Sequence, residues 1–440
     1  MATTVRDGTS RTWRSWSGLT VAHPALVRSP TDAGEVAAAV RTARDRGLAV
    51  KMVGSGHSFT DIAATDGLLL RPDRLVGVTA VDREALTVTV RAGTPLHELN
   101  ALLDHLGLAL HNLGDIDRQT VAGAIATGTH GSGGRWASLS SQVAGLELVT
   151  ADGAVVTVSP DEDPDLFAAA RLGLGAVGVV TSVTFDVEPA FQLAAEETPM
   201  TWDEVVSGFG DLVDTHHHVD IHWFPHTDRA LCKRNDRTVD EPRPLSRARA
   251  WLDDDLLANR TFGLVNRLGK AAPRLVPALN RASARALGAR SYTDASHRVF
   301  VSERLVRFRE MEYAVPRAAG MTALVEARRA IERGGWPISF PVELRHAPAD
   351  DVWLSMAHGR ESVYLAFHVN ASTDHTAYFR EMEAVMRAHD GRPHWGKLHT
   401  RTAADLAPAY PRWDDFAAVR DRVDPDRVFA NAYLDRVLGR

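Results

Sequence analysis

Val53-Gly54-Ser55-Gly56-His57-Ser58-Phe59 sets a run of small residues around one histidine, directly after Leu48, Val50 and Met52, whose alternation predicts a strand. Small side chains let a backbone come close to a phosphate, so that successive N–H groups point at its negative charge. A histidine held in such a loop lies beside whatever phosphate-bearing group those N–H groups grip. Upstream, Asp32 with Glu35 reads as a capping box, Val36, Val40 and Ala43 form one helical stripe, and Gly47 ends the helix.

Downstream the pattern continues. Leu86 to Val90 predicts a second strand, and Thr94-Pro95 reads as a cap and first helical position. Leu96, Leu99, Leu103 and Leu106 make that helix amphipathic, and Gly107 closes it. The stretch from Gly114 to Gly134 is dense in Gly, Ala, Thr and Ser, and its part from Gly123 carries a second histidine, His130. Two small-residue loops with a histidine each read as two phosphate cradles. Together they point to a flavin dinucleotide bonded to the protein through a histidine.

Leu146 to Val149 and Val155 to Val158 flank Ala151-Asp152-Gly153 as a hairpin, Pro164 to Leu172 reads as a helix, and Val177 to Val187 as a strand. Hairpins mixed with helices predict an α+β domain rather than a doubly wound sheet. Gly173-Leu174-Gly175-Ala176-Val177-Gly178 matches the dinucleotide fingerprint in letters, but a helix precedes it and a strand follows. The Rossmann device needs the reverse order, and Phe59 stands where the first loop would need its third glycine. Both points argue against a nicotinamide dinucleotide.

The 440 residues suit two or three domains, and 45% hydrophobic with 24% charged residues fits a globular protein. A net charge of −6 gives no electrostatic reason for a nucleic-acid partner. The lone Cys232 excludes an internal disulfide and a thiolate metal cluster. Met1 to Gly18 is polar and no apolar run approaches a membrane span, so the expected location is cytoplasmic. Peripheral membrane contact is left to the basic segment Arg243 to Lys270, with Trp251, Leu252, Leu256 and Leu257, which a solvated helix explains as well.

Beyond Pro189 the texture changes, which places a boundary near Glu188 to Phe191. Helical segments at Met321 to Arg333 and Ala377 to Ala388 alternate with strands at Ile338 to Leu344 and Val363 to Val369. On the first of these strands Glu343 and Arg345 share a face, with Val342 and Leu344 behind. His368 likewise faces away from Leu365, Phe367 and Val369. Arg392-Pro-His394-Trp-Gly-Lys397 follows. Taken singly, these are ordinary surface pairs or satisfied histidines. His216, His217, His218 and His222 have no ligand spacing to complete a metal set, and no hydrolase nucleophile elbow occurs.

In this order the motifs resemble the aldonolactone oxidoreductases (gulonolactone oxidases and dehydrogenases, arabinono-1,4-lactone oxidases) and alditol oxidases of the vanillyl-alcohol-oxidase-type FAD superfamily. The matching elements are Val53 to Ile62, Thr120-Val-Ala-Gly-Ala-Ile-Ala-Thr-Gly-Thr-His130-Gly-Ser-Gly133, Glu310-Met-Glu-Tyr313, Glu343-Leu-Arg345, His394-Trp-Gly-Lys397 and Asp424-Pro-Asp-Arg-Val-Phe429. The resemblance runs from about Trp13 to Leu438. It implies a PCMH-type FAD-binding domain of two α/β subdomains over 13–189 and a cap domain over 190–440, with an antiparallel sheet flanked by helices. A segment from about 400 to 440 would return to the first domain.

By the same resemblance, FAD would be held by Gly54, Ser55, Gly56, His57, Ser58, Gly114, Thr120, Gly123, Ala124, Thr127, Gly128, His130, Gly131, Gly178, Val179, His394 and Lys397. His57 would carry the covalent bond. Glu343, Arg345, His368, Lys397 and Thr120 would line the substrate site, with His368 the first choice of base and Glu343 or Lys397 as alternatives. The implied reaction moves a hydride from a sugar lactone, or else an alditol such as xylitol or sorbitol, to flavin N5, with oxygen or another acceptor reoxidising it. No metal is implied. The competing expectations are a flavin-binding protein without redox catalysis and a colourless nicotinamide-dependent dehydrogenase.

Overall fold

A computed structural model describes residues 12–133, 137–251, 262–302 and 306–440. The polar start (1–11), Gly134 and the apolar positions Leu252, Leu256 and Leu257 of the basic segment lie outside the described residues. Among the described residues no helix is long and apolar enough to cross a membrane.

The first loop leaves a small parallel sheet. Val50–Met52 and Leu26–Arg28 both run alongside Leu68–Leu70, with helix Ala33–Asp45 joining the outer two. Asp32 caps that helix by accepting the Glu35 N–H at 2.8 Å, while Glu35 reaches back to the Thr31 N–H at 2.7 Å. A second, antiparallel sheet has the order Val155–Val158, Val143–Val149, Val179–Asp186, Thr87–Arg91, Val78–Asp82. Its first pair is the expected hairpin, with Val149 opposite Val155.

One expected cap fails. Helix Leu96–His105 begins after Pro95, and Thr94 turns its hydroxyl to the Gly77 N–H and the Arg91 carbonyl instead, tying the helix to two strand ends.

The third sheet has eight strands: Arg290–Ala295, Gln192–Thr201, Arg229–Thr238, His218–Trp223, Val342–Ala347, Ser362–Asn370, Phe308–Pro316 and Arg392–Pro393. The expected boundary at 188–191 falls between Asp186 and Gln192, where one large sheet ends and the next starts. Alternation decides what each face of this sheet does. Ile221, Trp223, Val342, Leu344, Leu365, Phe367, Met311 and Tyr313 point to one side and join a buried cluster with helices Trp202–Thr215, Gly320–Gly334 and Thr376–Ala388. The residues between them face the first domain.

The chain's end packs on the first domain. Asp424 accepts the Val428 and Phe429 N–H groups at 2.7 and 2.9 Å, and the turn so fixed presents the Val428 carbonyl to the Val50 N–H at 2.8 Å. Asn431 donates to the carbonyls of Asp61, Ile62 and Ala64, each at 3.0 Å. Trp395, Tyr410, Phe416 and Leu434 share one buried cluster with Leu99, Leu146 and Phe185.

Candidate active site

The loop after Val50–Met52 is an anion cradle with its donors still open. Val53 gives its N–H to Leu70 and Phe59 gives its own to Gly396, so both ends of the loop are pinned. Between them, the N–H groups of Gly54, Ser55, Gly56, His57 and Ser58 donate to no protein group among the described residues. Successive unpaired backbone N–H groups in a turn of small residues form an anion-binding concavity, and this run lines a cleft. Gly54 is compelled here, because an added Cβ would stand 2.1 Å from Thr120 Oγ1. Gly56 turns at φ +69°, a region that favours glycine.

Ahead of the second loop, the start of a short helix spends its donors internally. The first N–H groups of helix Val121–Ala126 are spent inside the protein, Val121 on the Thr94 carbonyl and Ala122 on that of Ala92. Within the Gly123–Gly134 loop itself, the N–H groups of Gly123, His130, Gly131 and Ser132 donate to no protein group among the described residues. Thr120, Ala122, Gly123, Ile125, Ala126 and Thr127 face a cleft of about 1140 Å³ opposite Gly54 to Ser58.

The far end of that cleft is built by Gly173, Leu174, Gly175, Val177, Gly178 and Val179, with Lys51 and Phe429. The reversed fingerprint thus lines the same cleft without the strand–turn–helix device. Lys51 donates to the Gly175 carbonyl at 3.3 Å, and burial pushes its ammonium down to about 7. A long cleft with open N–H donors and a buried cation fits a dinucleotide diphosphate.

Of the residues expected to hold the cofactor, Gly114, His130, His394 and Lys397 line only the adjoining pocket, and three more line neither. Ala124 lies in the core, and an added Cβ at Gly128 would meet Leu172 and Met356. At Gly131 it would stand 2.2 Å from the Leu113 carbonyl, so close backbone packing requires that glycine. Thr120 is on the cofactor cleft and not on the second pocket.

That second pocket, about 740 Å³, adjoins the first and shares His57, Ser58, Gln119 and Thr127 with it. It is the polar face of the eight-stranded sheet. Glu343, Arg345, His368 and Lys397 all line it, with Gly114, His130 and His394. His57 stands at the junction, stacked on Trp16 at a centroid distance of 5.5 Å. Burial, with the charges of Lys397 and Arg118, pushes its imidazole down to about 4. It is neutral at pH 7, with a nitrogen lone pair available.

Cross-strand register sets the pocket's charges. Asp220 lies opposite Arg345, His222 opposite Glu343, and Glu310 opposite His368. Arg345 is held by Asp220 at 2.9 Å, Glu343 at 3.0 Å and Asp115 at 3.3 Å, and these carboxylates outweigh its burial and drive its pKa further up. Lys397 bonds Glu310, and Glu310 and Glu312 outweigh burial to raise its pKa. Lys397 therefore stays an ammonium, which removes it as a candidate base. His368 donates Nδ1–H to the Pro341 carbonyl at 3.3 Å, and its Nε2 lies 3.5 Å from Glu310.

His130, Glu312 and His394 bring three donor atoms within 4.8 Å of one another. Their hydrogen bonds suit protons better than a cation. His394 Nδ1 accepts the Gly396 N–H at 3.0 Å, so in the neutral ring Nε2 carries the proton. His130 lies between the Gly131 carbonyl at 2.8 Å from Nδ1 and Glu312 at 3.0 Å from Nε2, both of them hydrogen-bond acceptors. His216, His218 and His222 go to separate partners, Asp236, the Ser132 carbonyl and Glu343.

Asp115, Glu310, Glu312 and Gln119 were not singled out as site residues from sequence. A signal existed for two of them, since Glu310 and Glu312 alternate with Met311 and Tyr313 as Glu343 and Arg345 do with their neighbours.

Residues 183–437 match the D-arabinono-1,4-lactone oxidase family and residues 24–159 an FAD binding domain. The chain is 40% identical over 427 residues to an L-gulono-1,4-lactone dehydrogenase of Mycobacterium tuberculosis, covering 97% of this chain and 99% of that one. It is 33% identical over 432 residues to an L-gulonolactone oxidase of Mus musculus, covering 97% and 98%. An alditol oxidase of a Streptomyces species is 34% identical over 399 residues, covering 87% and 89%. Among solved structures, the cholesterol oxidase of B. sterolicum has a TM-score of 0.82 over 97% of this chain and 96% of that one; at 20% identity the likeness is one of fold. The resemblance seen in the motifs and the expected α+β, PCMH-type fold are borne out. The chain belongs to the D-arabinono-1,4-lactone oxidase family and is an FAD-dependent oxidoreductase.

Proposed function

We propose that this enzyme oxidises an aldono-1,4-lactone at one of its alcohol groups. The observation that carries the reading is the convergence of Glu343, Arg345, His368 and Lys397 in one pocket, which meets the dinucleotide cleft at His57. FAD, when bound, supplies a two-electron acceptor for the hydride. The chain's own groups do the rest. His368, anchored through Nδ1–H on Pro341, presents Nε2 to take the hydroxyl proton. Lys397 and Arg345 are fixed cations that offset negative charge arising on the cofactor. Glu343 positions Arg345 and offers a carboxylate to vicinal hydroxyls. His57, neutral and at the junction, carries the covalent link to FAD.

The lactone reading rests on the family match and on the greater identity to the lactone dehydrogenase. Equal concentrations of L-gulono-1,4-lactone, D-arabinono-1,4-lactone and xylitol, turned over with an artificial dye acceptor, test it. A kcat/KM highest for a lactone is expected. A preference for xylitol overturns it in favour of alditols, the reading that the alditol oxidase relative supports. Peroxide formation in air identifies oxygen as the acceptor, and turnover with the dye alone identifies another.

A further inference from the structure

We propose that Glu310 is a positioning residue for the oxidation, a carboxylate that holds the proton of the His368 imidazolium on one side and the Lys397 ammonium on the other. The inference rests on the proposed oxidation for its catalytic consequence, and on geometry for the residue. Glu310 sits on strand Phe308–Pro316, directly opposite His368 in the register of strand Ser362–Asn370. It is 5% exposed and faces the pocket, while Met311 beside it faces the core. One carboxylate oxygen bonds Lys397 Nζ, and the other lies 3.5 Å from His368 Nε2.

The tautomer follows from the far side of the ring. A backbone carbonyl only accepts, so His368 spends its Nδ1 proton on Pro341. The lone pair on Nε2 is then the one that takes up a substrate proton, and the imidazolium so formed meets Glu310. In balance, the hydroxyl O–H bond breaks and a new N–H bond forms at Nε2, while bound FAD would supply the acceptor for the hydride released by the carbon. The proton stays in the protein as an imidazolium–carboxylate pair. Phe308 and Phe340 pack against the His368 ring at centroid distances of 5.2 and 6.2 Å. Among the described residues, the charged and titratable groups lining the pocket with the pair are Lys397 and His394 from the 394–397 turn, Glu312 on the same strand, Glu343 and Arg345 on strand Val342–Ala347, Asp115 from the 113–116 loop, and His57 and His130 from the two small-residue loops.

An anion next to an imidazole raises its pKa, so Glu310→Gln lowers that of His368. The base must be neutral to act. The acid limb of the anaerobic reduction rate, followed by stopped flow from pH 5 to 9, should therefore move to lower pH by about one unit or more in Glu310→Gln. The plateau rate should fall by about 10- to 100-fold, because the conjugate acid has lost its partner. A second readout needs no turnover: the 15N-histidine resonance of His368, assigned by its loss in His368→Ala, should titrate at lower pH in the variant. Should Glu310→Gln fail to fold, Glu310→Asp takes its place, with a smaller shift in the same direction. An acid limb and a His368 titration both unchanged from the parent overturn the proposal. A parent protein whose flavin no lactone reduces overturns the proposed function instead, and the resonance still decides the pairing.

Discussion

At the scale of single residues, the pocket is decided by which groups are able to hold a proton. Four carboxylates line it (Asp115, Glu310, Glu312 and Glu343) against two fixed cations, Arg345 and Lys397. Arg345→Met would leave Asp220, Glu343 and Asp115 without their shared cation, a loss of about 3–5 kcal/mol in stability by analogy with other broken buried pairs. Thermal unfolding at pH 7 measures it. Lys51 works in the opposite sense. Burial depresses its folded pKa to about 7 from 10.5, so between those values the unfolded chain binds more protons and stability rises with pH. Below pH 7 the cost of the buried ammonium is fully present. Lys51→Met should therefore raise the melting temperature of the FAD-free protein at pH 6 and have little effect above pH 10.5. The same variant should load less FAD, since the ammonium lines the cleft.

Among the elements, the first small-residue loop and the helix that leads into the second differ in where their N–H groups go. Gly54 to Ser58 keep their donors open, whereas the helix after Thr120 spends its first two on Thr94 and Ala92. Composition is visible in a sequence; the carbonyl that accepts a given N–H belongs to a residue far along the chain. Glu343, Arg345 and His368 were legible because strand alternation puts them opposite apolar neighbours. Glu310 alternates in the same way, but its partner, like that of Asp220, comes from register between strands that the sequence does not pair, and Asp115 reaches Arg345 from a loop only through the fold. Gly54→Ala tests the first loop. The new methyl would stand 2.1 Å from Thr120 Oγ1, so the variant should lose most of its bound flavin. Thr120→Ala in the same chain removes that oxygen and should restore part of the yellow colour, measured as flavin per protein.

At the scale of the whole molecule, the eight-stranded sheet turns one face to its own helices and the other to the FAD-binding domain, and the active pocket is the space between. The overall plan was readable from sequence, because hairpin turns, helical stripes and the shift in texture after Pro189 are local signals. The return of the chain end was expected only through resemblance; what fixes it is Asp424, which ties Val428 to Val50 and brings Phe429 to the cleft. A pocket with more carboxylates than cations should reject an anion of the substrate's own size. L-Gulonate, the hydrolysed form of the lactone, is accordingly expected to reduce the flavin at least tenfold more slowly than L-gulono-1,4-lactone, a difference of about 1.4 kcal/mol or more. Equal rates would show that charge in the pocket does not select.

The most direct trial of the account is anaerobic mixing of the purified yellow protein with L-gulono-1,4-lactone, watching the blue absorbance of its flavin, beside the His368→Ala and Arg345→Met variants. The account predicts rapid bleaching in the parent and bleaching slowed by about 100-fold or more in both variants. A parent flavin that stays oxidised with gulono- and arabinono-1,4-lactone alike, or variants that bleach as fast as the parent, would contradict it.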